Sequence, residues 1–88
     1  MKKEDFGVVT FESTSHAIRG EKSLKEENIK IKTIPTPREI TSSCGLSIRF
    51  NLEDLNTIEN VIESNKLAIS GIYKMIKEGL KYTVEKIN

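Results

Sequence analysis

The chain has one cysteine, two prolines and no tryptophan, and only 6% of its 88 residues are aromatic. Each shortage excludes something. One thiol makes no intramolecular disulfide, so this is not a stapled secreted scaffold. One cysteine and one histidine, Cys44 and His16, fall short of the four ligands of a structural zinc site, and no metal is expected. No apolar run approaches the roughly 20 residues of a membrane-spanning helix. Neither charge is in excess: 14 basic side chains face 13 acidic ones, a net charge of +1. A balanced chain has no long-range field to gather nucleic acid or an anionic membrane, so neither is an expected partner. There is no glycine-rich phosphate loop, no Ser-His-Asp set and no pair of carboxylates at catalytic spacing, so no cofactor and no conventional enzyme is expected.

What is present reads as a small globular protein. Hydrophobic residues make up 36% and charged residues 31%, a composition that collapses rather than stays disordered. The length suits one domain over residues 1–88, with a core at about 6–76 and a tail at 77–88. The start, Met1-Lys2-Lys3-Glu4-Asp5-Phe6, is charged and runs into a strand-like stretch without a signal-peptide core. A cytoplasmic protein with a reduced thiol is the expectation.

Hydrophobic periodicity supplies the elements. Phe6 to Phe11 is apolar and β-branched and reads as a buried strand. Ser13, Thr14 and Ser15 offer hydroxyl caps for a helix over about 14–27, which carries Gly20 inside it. Ile29, Ile31 and Thr33 alternate with lysines as a second strand, stopped by Pro35 and Pro37. Leu46, Ile48 and Phe50 alternate as a third. Asn51 precedes a second helix, with Leu52, Leu55, Ile58, Val61 and Ile62 at helical spacing and an end near Ser64-Asn65. Ile69–Ile76 is read as a fourth strand, although Ile72, Met75, Ile76, Leu80, Val84 and Ile87 also fit a helix from Gly71 to Ile87. The tail fits either a helix or an edge strand in which Leu80, Tyr82 and Val84 alternate. The order is β-α-β-β-α-β: an α+β, ferredoxin-like fold with a four-stranded antiparallel sheet, two helices on one face and a tail of open structure.

That topology makes the first two strands parallel. The loops after them then leave one end of the sheet, beside the start of the first helix. The first loop holds Ser13, Thr14 and His16; the second holds Arg38, Ser43, Cys44 and Gly45. A cysteine near a helix N-terminus and an arginine is shifted toward thiolate, the nucleophilic form. Gly45 allows a backbone turn that exposes the sulfur. Eleven residues also link two strands that a hairpin would join in two to five. Plainer roles stand beside these. Cys44 can be a small buried hydrophobe, His16 a surface residue, Ser13 or Ser15 a helix cap, and Arg38 a solvated charge.

Taken together, several blocks give a resemblance. They are Ser13-Thr14 with Ala17, Glu21-Lys22-Ser23-Leu24-Lys25, Ile34-Pro35-Thr36-Pro37-Arg38-Glu39-Ile40, Ser42-Ser43-Cys44-Gly45-Leu46, and Gly71-Ile72-Tyr73. The chain resembles the small bacterial selenium/sulfur carrier protein-like family, catalogued as a domain of unknown function, over about residues 6–76. The resemblance implies a one-domain carrier whose Cys44 holds sulfur or selenium as a persulfide or selenosulfide. It implies donor and acceptor proteins as partners, with Arg38 matching the family's Pro-Arg-Glu block. A different class of function fits the same residues: a non-catalytic interaction or regulatory module in which Cys44 is structural. An open sheet is also a route to a homo-oligomer.

Overall fold

Strand β1 (Lys3–Phe11) carries apolar side chains on both faces, as a strand buried on both sides does. Phe6 and Val8 point one way, Val9 and Phe11 the other, and all four are buried. The computed structural model describes residues 3–40 and 45–87. After β1 come α1 (Thr14–Glu26), β2 (Ile31–Pro35), β3 (Leu46–Phe50), a single 3-10 turn (Leu52–Asp54), α2 (Leu55–Ser64), β4 (Ile69–Glu78) and β5 (Lys81–Lys86). The sheet order is β2-β3-β1-β4-β5, with β1 at its centre and every neighbouring pair antiparallel.

The sheet therefore has five strands among the described residues, where the sequence reading expected four. The open question of the tail resolves as a strand. Gly79 takes φ 63°, and with Leu80 it closes a two-residue turn between the paired residues Glu78 and Lys81. Tyr82 and Val84 then lie across from Lys77 and Met75. Their period of two continues the apolar row of β4, which a helix would scatter around its circumference.

Both helices pack on one face. Ala17 and Leu24 of α1, and Ile58, Val61 and Ile62 of α2, form one buried cluster with Val9, Phe11, Ile48, Phe50 and Ile72 of the sheet. Gly20 faces Phe11: a Cβ there would stand 2.7 Å from the ring's Cζ. The helix end and the second strand differ from the expected bounds for a local reason. Asn28 adopts φ 59°, and the N–H groups of Asn28 and Ile29 bond back to the carbonyls of Lys25 and Leu24. This closes α1 in a Schellman motif, so Ile29 belongs to the helix end and β2 starts at Ile31. Lys66, at φ 51°, ends α2 the same way. Its N–H bonds to Glu63 and that of Leu67 to Ile62, and Leu67 and Ile62 sit in the same core cluster. Asn51 makes no side-chain capping bond; the chain enters α2 through the 3-10 turn instead.

The other face of the sheet carries a smaller cluster of Phe6, Val8, Met75 and Ile40, flanked by Ile34, Tyr73 and Val84. No helix covers it. Ile40 arrives from the β2–β3 connection, where its N–H bonds to the Pro37 carbonyl at 3.0 Å. That turn folds the connection over the open face and buries Ile40 to 4% exposure.

Candidate functional site

Register fixes which segments meet at one end of the sheet. Thr10, Ser47 and Ile34 form one row across β1, β3 and β2. One residue further on, β1 and β2 end and β3 begins. The β1–α1 loop and the β2–β3 connection therefore leave the same end, with the N-terminus of α1 there as well. The neck of the β2–β3 connection is tied twice. The Thr36 N–H donates to the Gly45 carbonyl at 3.0 Å, and the hydroxyls of Thr36 and Ser47 lie 2.6 Å apart. Gly45 is exposed, and a Cβ there would meet nothing within 4 Å, so steric room is not what calls for glycine. Ser43 and Cys44 lie outside the described residues.

Ser13 and His16 both have work at this end. Ser13 is the N-cap of α1: its Oγ accepts the His16 N–H at 3.3 Å, satisfying one of the orphan donors of the first turn. The His16 imidazole is half-buried, and its Nδ1 accepts the Ala68 N–H at 3.3 Å. The Glu12 N–H in turn donates to the Ala68 carbonyl at 3.1 Å. The start of α1 is thus stapled to the α2–β4 connection through both polar groups of one peptide-bearing residue. Thr14 begins the helix and is exposed.

Arg38 does not join them. It is exposed and lines a hollow of about 380 Å³ on the open face of the sheet, with Phe6, Ile34, Met75 and Tyr82. His16 lies on the helix face, so the sheet separates the two. The turn that buries Ile40 is what carries Arg38 there. The sequence reading put Arg38 beside α1 because loop length alone does not say over which face a loop folds.

The hollow also contains a residue that sequence reasoning passed over. Arg49 on β3 stacks its guanidinium on the Phe6 ring, 3.9 Å from the centroid. Arg49 is exposed on the face of β3 opposite Ile48 and Phe50. The signal that solvent there meets an apolar row was the matching alternation of Phe6, Val8, Tyr82 and Val84 on strands that share a face. Among the described residues no group of three or more His, Cys, Asp and Glu gathers as a metal site, and no helix is long and apolar enough to cross a membrane.

Known proteins resemble most of the chain. Residues 6–74 match the model of the family described as "Putative Se/S carrier protein-like". An uncharacterized protein of Methanocaldococcus jannaschii is 39% identical over 64 residues, which is 73% of this chain and 32% of that protein. The chain thus spans about a third of the length of the relative it matches. No solved structure matches.

Proposed function

The chain belongs to the Se/S carrier protein-like family, and on that premise we propose that it carries sulfur or selenium on Cys44. The family match, which runs through the Ser43-Cys44-Gly45 segment, is the observation that supports this reading. The β1–α1 loop and the β2–β3 connection leave the sheet at one end, where the α1 N-terminus also lies, and this supports it further, because a helix N-terminus favours an anion. The strand order β2-β3-β1-β4 supports reading residues 6–76 as a ferredoxin-like unit in one domain, with β5 added at its edge.

The chemistry balances without a cofactor. The Cys44 thiolate attacks the outer sulfur of a donor persulfide, R–S–SH. A new S–S bond forms, the donor S–S bond breaks, and the donor leaves as R–S⁻, giving Cys44–S–SH. An acceptor thiolate then takes the outer sulfur and releases Cys44 as thiolate. Selenium in the outer position follows the same course. Access and the leaving thiol's acidity set the rates. In this reading Ser13 and His16 hold the α1 N-terminus in position, Thr14, Ser43 and Gly45 border the sulfur, and Arg38 serves the opposite face.

Reaction of the native protein with DTNB tests whether the thiol is available. The carrier reading expects release of one equivalent of thionitrobenzoate in the folded state, still fast at mildly acidic pH. Reaction only after denaturation would favour the interaction module, with Cys44 as a packed residue.

A further inference from the structure

We propose that the hollow on the open face of the sheet binds a small organic monoanion with an apolar or aromatic body. Its volume of about 380 Å³ lies at the lower end of the range for small-molecule sites, which suits a ligand below drug size. Phe6, Ile34, Met75 and Tyr82 supply apolar walls, and Pro37 and Glu39 complete the rim beside Arg38. Phe6 and Met75 are buried at 7% and 1% exposure, whereas Tyr82 stays 41% exposed. The hollow thus has a fixed floor and one open aromatic side.

The charge points to the ligand's sign. Arg38 and Arg49 against Glu39 leave the lining with an excess of one positive charge. Stacking on Phe6 holds the Arg49 guanidinium 3.9 Å above the ring. A stacked guanidinium keeps its N–H donors at its edge, in the planar fork that matches a carboxylate. Among the described residues no carboxylate pairs with Arg38 or Arg49 within 4.0 Å. An apolar body against Ile34 and Tyr82, with its carboxylate toward the two arginines, satisfies walls and charge together. A second negative group would meet Glu39, so a monoanion fits better than a dianion. The site is on the opposite face from the α1 N-terminus and does not rest on the Cys44 reading.

Naphthalene-1-acetate is a suitable probe, and naphthalene-1-acetamide is its neutral counterpart of nearly equal shape. Amide-resolved NMR titration of the full chain reads both affinity and place. The acid is expected to shift the amides of Ile34, Arg49, Met75 and Tyr82, with the acetamide at least tenfold weaker. Arg38→Gln and Arg49→Gln are each expected to weaken the acid at least fivefold while the remaining amide spectrum is preserved. Arg38→Gln sits on an exposed turn and keeps the test open if the Arg49 variant fails to fold. Cys44→Ser should bind as the wild type does, so the outcome is independent of sulfur loading. Equal affinity for acid and acetamide, shifts confined to another face, or no shifts at all would each overturn the proposal.

Discussion

The imidazole Nδ1 of His16 accepts the backbone N–H of Ala68 at 3.3 Å, and this bond gives the only histidine of the chain a positioning role. It links the first turn of α1 to the start of β4, two elements that the sequence keeps 52 residues apart.

His16→Ala leaves the Ala68 N–H without its partner. An unmade, partly buried hydrogen bond costs about 1–2 kcal/mol. We expect a lower urea midpoint with an unchanged slope, and sulfur loading per folded molecule equal to the wild type. An unchanged midpoint with lost loading would instead give His16 a part in the chemistry.

Gly20→Ala sets two effects of opposite sign against each other. Alanine gains about 1 kcal/mol of helix propensity over glycine. Its Cβ would stand 2.7 and 2.8 Å from Phe11 ring carbons, and that ring is wholly buried among the core residues. Overpacking of this kind costs about 1–3 kcal/mol. The clash wins, and thermal denaturation should show a destabilised protein; a raised midpoint would mean that the helix shifts freely over the sheet.

Lys66→Gly should act the other way. Lys66 holds φ 51° at the end of α2, a conformation that costs a residue with a Cβ about 1–2 kcal/mol. Glycine removes that strain but adds about 0.4–1 kcal/mol of unfolded-state entropy. A net gain of about 0.5–1 kcal/mol in urea denaturation is expected, because both Schellman bonds are backbone groups and survive the change.

Much of this fold is written in period-two and period-3.6 patterns. Leu46–Phe50 reads as a strand by alternation and is one with the same bounds. Ala17, Ile18, Glu21 and Leu24 read as one side of α1; Ala17 and Leu24 are buried, but Ile18 is 60% exposed. Patterns stop at places decided by single backbone conformations. Asn28 is of a type that tolerates the left-handed region, but Lys66 is not, so nothing in the residue types announced the turn that ends α2. The tail was ambiguous because Leu80, Val84 and Ile87 fit a helix while Leu80, Tyr82 and Val84 fit a strand, and only pairing with β4 decides between them. The shared sheet end of Ser13 and Gly45 followed from topology. The position of Arg38 did not, since it depends on Ile40 turning the β2–β3 connection onto the open face.

Sulfur transfer to Cys44 is the central claim, and intact-protein mass spectrometry tests it most directly. The protein is incubated with a cysteine desulfurase and cysteine, then measured before and after dithiothreitol, with a selenium donor run in parallel. The account predicts a mass increase of one sulfur or one selenium atom on the wild type, reversed by dithiothreitol and absent from Cys44→Ser. A wild-type protein that gains no such mass from either donor while the desulfurase turns over would contradict it.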